Sequence, residues 1–329
     1  SNGSIITDFG SGTTTFNGLI SGGGALTKDG ADILKLTNAN TYSGGTIVKL
    51  GRLQISSDSN LGASNGRLTF SGGILQLLSS VVSSRPVTLA TSGTVFADNG
   101  TSSVFNGLFS GPGVLIKDGL GNFQLGNSGN TYGGGTRIDS GNLLITSDSN
   151  LGLSTSALTF NGGTLEILSG AKVVSNRPVV LNTTGTITTD LGSGVSIFNG
   201  LVSGPGGLIK DGGDTLRLTG SNIYSGSTTV LDGVLEILND TNLGNVTGGV
   251  NLSNGAELAI ITGGNLVTSR TFTLNGGGKI RADVESGINV INGLVQGSGP
   301  LTKLGPGILR LNNTSNSYTN GTLINDGIL

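Results

Sequence analysis

FNGLISGGGALTKDG, starting at Phe16, returns as FNGLFSGPGVLIKDG at Phe105, FNGLVSGPGGLIKDG at Phe198 and INGLVQGSGPLTKLG at Ile291. The four starting points lie 89, 93 and 93 positions apart. Self-similarity at a fixed period marks a repeat array, in which each unit buries its apolar face against a neighbouring copy. Other landmarks keep step. NTYSGGT at Asn40 returns as NTYGGGT at Asn130, NIYSGST at Asn222 and NSYTNGT at Asn316, and these strings hold all four tyrosines: Tyr42, Tyr132, Tyr224 and Tyr318. SDSNLG at Ser57 recurs at Ser147 and as NDTNLG at Asn239. Arg85-Pro86 recurs as Arg177-Pro178 and Arg270-Thr271. GSIITD at Gly3 matches GTVFAD at Gly93, GTITTD at Gly185 and GKIRAD at Gly278. The units therefore run at about 3–92, 93–184, 185–277 and 278–329, the last incomplete, within one elongated domain that is expected to be part of a longer protein.

Between landmarks the pattern has period two. In Leu34-Lys35-Leu36, Phe123-Gln124-Leu125, Leu216-Arg217-Leu218 and Leu309-Arg310-Leu311 the flanks are apolar and the centre is polar. On a strand this points the flanks into a core and the centre into water. Leu143-Leu144-Ile145, with an apolar centre, is the exception. Clusters of Gly, Asn, Asp and Ser break every candidate helix and supply the left-handed conformations that tight corners need. The expected fold is all-β, a single-stranded parallel β-helix (β-solenoid) whose sequence repeat of about 92 residues forms four coils of roughly 20–28 residues. The chain would then hold about 14–15 coils, stacked about 4.8 Å apart. Equivalent residues of successive units, four coils apart, cannot touch. A β-propeller with two blades of about 45 residues per unit is the alternative topology, disfavoured by the absent tryptophan and blade signature.

Composition removes most chemistry. Of 329 residues 61 are Gly and only six Pro, while His, Cys, Met and Trp are absent. Missing histidine takes away the usual general base, the Ser-His-Asp arrangement and most zinc sites, and missing cysteine takes away thiolate catalysis and disulfides. A net charge of −2, with 17 basic residues spread evenly, offers no stripe for nucleic acid. No apolar run approaches the ~20 residues of a membrane-crossing helix. Gly278-Lys279 continues into Ile280, so no phosphate loop is present.

Calcium is the sharpest remaining candidate, because Asp58-Ser59-Asn60-Leu61-Gly62 superficially resembles a calcium loop and recurs at Asp148 and Asp240. An EF-hand needs an acidic residue eleven positions on, where this chain has Thr69, Thr159 and Asn251. An Asx-type corner is the reading adopted. Asp29, Asp118 and Asp211 share another corner, with Leu304 at the fourth copy, and are read as structural. The glutamates Glu166, Glu236, Glu257 and Glu285 form no obvious catalytic pair of the glycosidase kind. Lys28, Lys117, Lys210 and Lys303 are read as solvated strand-end gatekeepers rather than phosphate or sugar-acid ligands. The tyrosines are read as packing over the coil edge. No catalytic, cofactor-binding or metal-binding residue is assigned.

GALTKDGADILKLTNANTYSGGTIVKLGRLQI, from Gly24 to Ile55, resembles the autotransporter-associated β-strand repeat, also called the passenger-associated transport repeat. The motif recurs from Gly113 to Ile145, from Gly206 to Ile237 and from Gly299 to the end, about a third of each unit. The resemblance implies a right-handed parallel β-helix, exported by type V secretion to the extracellular side or cell surface of a Gram-negative bacterium. It implies a non-enzymatic stalk, adhesin or filament segment, and it transfers no catalytic residue. Partners expected on this basis are neighbouring repeats of a longer chain, a second copy stacked end to end, or surface glycans and other cells, but no nucleic acid. The rival function is a polysaccharide-acting β-helix lyase or hydrolase, which would need a non-repeating cleft of acids and a base.

Overall fold

A computed structural model describes residues 2–7, 10, 12–283 and 287–329. Among them every named strand pair is parallel, and the only helices are four-residue 3-10 turns. No helix is long and apolar enough to cross a membrane, which says nothing of a β-barrel. The chain packs as two compact units, Ser1–Thr159 with Gly163–Leu165, and Phe160–Gly162 with Glu166–Leu329. Each is a parallel β-solenoid, as the period-two pattern predicts.

In the first unit one ladder stacks Gly3–Ile6, Leu26–Asp29, Thr46–Val48, Leu68–Phe70, Val87–Leu89 and Phe109–Ser110. A second begins Thr13–Phe16, Ile33–Leu36, Arg52–Ile55, Ile74–Leu77, Gly93–Ala97, Leu115–Asp118. A third stacks Val82–Ser83, Ser102–Phe105, Asn122–Leu125 and Asn142–Ile145. Side chains in register form continuous inward rows, such as Leu34, Leu53, Leu75 and Val95, all fully buried. Each such residue contributes about 1.5–3 kcal/mol, but only because a neighbouring coil covers it on both sides. The outward centre of the exceptional triplet, Leu144, is itself covered, at 7 % exposure.

The expectation of four coils per repeat is corrected. From Leu26–Asp29 to its next copy Leu115–Asp118 the chain passes eleven further strands and two loops that stand where strands would, thirteen positions in all. With three faces per coil this is four coils and one face, so Leu26–Asp29 lies in the first ladder and Leu115–Asp118 in the second. The second unit repeats the step. Leu208–Asp211 lies in the ladder of Thr228–Val230 and Val250–Ser253, whereas its next copy, Leu301–Leu304, lies in that of Glu257–Ile260 and Gly278–Ala282. Glycine corners mark where the chain bends but do not number the faces, which is why the sequence suggested a whole number of coils.

Candidate functional site

The recurring side chains converge on the two loops that replace strands in each repeat, 37–45 and 56–67 in the first copy. Just before them, Leu26 and Lys28 alternate inward with Thr27 between. The ammonium of Lys28 is fully buried and donates to the backbone carbonyls of Asp29 at 2.8 Å, Gly30 at 2.6 Å and, one coil on, Leu50 at 2.9 Å. Lys117 donates to Asp118, Gly119 and Ser140, Lys210 to Asp211, Gly212 and Asp232, and Lys303 to Leu304, Gly305 and Asp326. All three protons are therefore used, which is what allows a charge to be buried without a carboxylate in direct contact. The gatekeeper reading is overturned: period-two alternation puts these lysines inside. Burial pushes Lys117 and Lys210 down to about 8, and lowers Lys28 and Lys303 as well.

Asp29 turns the other way. Its carboxylate accepts the Gly30 N–H at 2.9 Å and pairs with Lys49 at 3.0 Å, and these bonds, the backbone one foremost, hold it below the usual carboxylate value. Asp118 and Asp211 accept the N–H of Gly119 and Gly212 in the same manner. The corner reading of these aspartates is correct. Lys303 keeps its three carbonyls although Leu304 stands in the aspartate's place.

In the first loop Asn40 joins three coils. Its Oδ1 accepts the N–H of Ile20 at 2.9 Å and its Nδ2 donates to the carbonyl of Asn60 at 2.7 Å. Asn130 and Asn222 make the same pair of bonds, to Phe109 and Asn150 and to Val202 and Asn242. Two residues on, Tyr42, Tyr132 and Tyr224 are inside the coil, at 2 %, 0 % and 0 % exposure, not over its edge. Each shares a hydrogen bond with a threonine four residues later: Tyr42 with Thr46 at 2.6 Å, Tyr132 with Thr136 at 2.6 Å and Tyr224 with Thr228 at 2.5 Å. The inward threonines occupy core positions, stacked on residues such as Leu26 and Leu68. Tyrosine therefore satisfies a hydroxyl that the strand pattern would otherwise bury unpaired. Burial drives Tyr224 up to about 12 and raises Tyr42 too.

The second loop contains the calcium-like string. Asp58–Leu61 and Asp240–Leu243 form single 3-10 turns, capped by Ser57 and Asn239. Asn60 Oδ1 accepts the N–H groups of Ser56 and Ser57, both at 3.0 Å, while its Nδ2 reaches back to the Asn38 carbonyl. Gly62 adopts φ +79°, and a Cβ there would lie 2.4 Å from the Tyr42 carbonyl, which fixes glycine after the turn.

The aspartates are taken. Arg85, fully buried, reaches Asp58 Oδ1 at 2.8 Å and Oδ2 at 3.0 Å and also donates to the carbonyls of Asp58, Leu61, Gly62, Ala63 and Gly66. Arg270 holds Asp240 in the same fork, at 2.7 and 3.3 Å, with the carbonyls of Gly244 and Gly248. The corresponding Arg177 is equally buried. These carboxylates are engaged by guanidinium, which supports a structural corner over a cation loop. The arginines were visible in the sequence as a recurring landmark without a role; the signal was an arginine returning one coil after each Asp-Ser-Asn or Asp-Thr-Asn turn.

Elsewhere the glutamates are spread over the outer face. Glu236 pairs with Arg217 at 2.6 Å and Glu257 with Arg281 at 2.7 Å, while Glu285 lies outside the described residues. Among the described residues no three His, Cys, Asp or Glu side chains gather as a metal site would require. A groove of about 600 Å³ runs past Asn182, Thr183, Pro205, Gly206 and Ser227 and is lined by no charged side chain.

Four segments, 26–55, 115–145, 208–237 and 301–329, match the passenger-associated-transport-repeat family. Each spans the lysine strand, the tyrosine loop and the strands that flank them. Among curated proteins the chain is similar to the "Adhesin BmaC autotransporter" of Brucella suis biovar 1 (strain 1330), 32 % identical over 212 residues. That alignment takes in 63 % of this chain but only 6 % of the relative. No solved structure matches. The buried lysine, the tyrosine–threonine pair and the three-coil asparagine thus fall within the four segments that match the passenger-associated-transport-repeat family.

Proposed function

We propose that this chain is a non-catalytic stalk and adhesive segment of an autotransporter passenger, standing at the outer surface of a Gram-negative bacterium. The observation that carries the reading is internal consumption: the lysines, tyrosines, asparagines and arginines that recur once per repeat spend their polar atoms on backbone and on one another. Residues so used hold the coils together and are not available to a substrate. The similarity to a protein named as an adhesin supports contact with other surfaces as the task of the segment.

The proposal includes stacking of coils at the ends. The strand Thr322–Ile324 is exposed along its length and pairs with Leu301–Leu304, and the nearby Ile328 is 58 % exposed. At the other end Ile6 is 64 % exposed. Edges of this kind accept a further parallel strand, from an adjoining repeat or a second copy.

Display of the chain on a non-adherent bacterium should confer binding to host-cell layers or to immobilised glycans, and no gain of binding over the empty carrier would refute the adhesive role. Sedimentation should show association that grows with concentration; a strict monomer at high concentration removes the stacking. Turnover of pectin or alginate that is lost on mutating an acidic residue would overturn the non-catalytic reading.

A further inference from the structure

Each repeat carries an Asn-Gly pair near its head, Asn17-Gly18, Asn106-Gly107, Asn199-Gly200 and Asn292-Gly293, with the asparagine exposed in all four copies. In three of them a donor one coil on grips the amide oxygen. Thr37 Oγ1 donates to Asn17 Oδ1 at 2.7 Å, Thr219 Oγ1 to Asn199 Oδ1 at 2.6 Å and Asn312 Nδ2 to Asn292 Oδ1 at 2.8 Å. In the second copy Gly126 stands where the donor should be. The space the donor would fill is occupied by the amide itself, since a Cβ added to Gly126 would fall 2.1 Å from Asn106 Oδ1. Among the described residues neither the Asn106 side chain nor the Gly107 N–H has a hydrogen-bond partner.

We propose that Asn106 is a site of spontaneous deamidation, from which its three counterparts are protected by the bond across the coil joint. In this reaction the Gly107 backbone nitrogen gives up its proton to solvent hydroxide and attacks Asn106 Cγ. A carbon–nitrogen bond forms, the side-chain nitrogen leaves as ammonia, and a five-membered succinimide remains. Water opens that ring at either carbonyl to give aspartate or isoaspartate, so water is consumed, ammonia is released and no redox partner is needed. The reaction requires the amide carbon to swing onto the following nitrogen. A pinned rotamer resists that motion, an unpinned one allows it, and glycine as the following residue offers no side chain to block it.

The site is also a sensitive one. Gly107 passes so close to the coil before it that an added Cβ would lie 1.8 Å from the Arg85 carbonyl. Isoaspartate inserts a methylene into the main chain at this joint, where no room exists, and either product adds a negative charge. Deamidation therefore loosens the joint just beyond the Arg85–Asp58 fork.

The test is incubation of the intact chain at mildly alkaline pH, followed by digestion and site-resolved mass analysis of Asn17, Asn106, Asn199 and Asn292 in one sample, each told apart from the chain's other Asn-Gly pairs such as Asn99-Gly100, with isoaspartate detected by enzymatic methylation. The Asn106 peptide should convert several-fold faster than each of the other three. Gly126→Thr, supplying the missing hydroxyl, should slow Asn106 to the level of its counterparts, with a thermal melt to verify that the variant folds. Thr37→Gly should independently raise conversion at Asn17. Equal rates at the four sites, or an Asn17 rate unmoved by Thr37→Gly, would overturn the proposal.

Discussion

Arg85 grips Asp58 through both carboxylate oxygens, at 2.8 and 3.0 Å, from a position one coil further along the chain. The fork closes the second loop against the solenoid and leaves no guanidinium nitrogen idle. Arg85→Ala would leave the partly exposed Asp58 carboxylate and several buried carbonyls without their donor, so a loss of about 3–5 kcal/mol is expected in urea unfolding. Arg85→Lys should recover little of it, because an ammonium cannot fork a carboxylate and serve the carbonyls on both sides at once. Full stability in the lysine variant would contradict this.

The lysine cage makes a comparison between faces. Lys117→Met keeps the apolar stem but leaves the carbonyls of Asp118, Gly119 and Ser140 without their donor, at a cost of roughly 2–4 kcal/mol. Lys35→Met, on the outward centre of its strand, should change stability by less than about 0.5 kcal/mol. Equal denaturation midpoints for the two variants would show that the cage contributes nothing.

Tyr224 and Thr228 predict a cycle. Tyr224→Phe removes one partner of a buried hydrogen bond and should cost about 1–3 kcal/mol. Thr228→Val in the same chain removes the other partner, and the double variant should be more stable than Tyr224→Phe alone. Strict additivity of two losses would argue that the hydroxyls are not coupled.

Alkaline pH should first strengthen and then weaken the fold. Lys117 and Lys210 lose their protons near 8 when folded, against an ordinary value of 10.5. Within that window the unfolded chain holds the more protons, so stability rises with pH. Tyr224 behaves oppositely: its folded value of about 12 lies above the ordinary 10, so beyond 10 the folded state is the better proton holder and stability falls. Urea midpoints followed through this range should peak near pH 10, and the rise should shrink markedly in a chain carrying both Lys117→Met and Lys210→Met, leaving only the part owed to Lys28 and Lys303. A midpoint that declines steadily from 8 upward would refute the lysine contribution.

Much of this architecture was legible in the chain. Triplets such as Leu34-Lys35-Leu36 gave their faces correctly because alternation is a local property of extended backbone. The same rule, applied to Leu26 and Lys28, would have placed the lysine inside; a preference for hydrated charge obscured it, since the three carbonyls that make burial tolerable come from a corner and a neighbouring coil. The Asp29 corner was readable from its Asp-Gly pair, a contact of adjacent residues. The Asp58–Arg85 fork was not, because the partners are 27 positions apart and nothing in either string names the other. Tyr42 was misjudged for a similar reason: its hydroxyl has a partner only once Thr46 turns inward.

The extra face in every repeat has a practical outcome for a protein whose copies are so alike. Recombination between two of them would alter more than reach: within either unit, gaining or losing one copy swings whatever follows through a third of a revolution about the winding axis. Length and aim are geared together, and a bacterium that varied the first would necessarily reset the second.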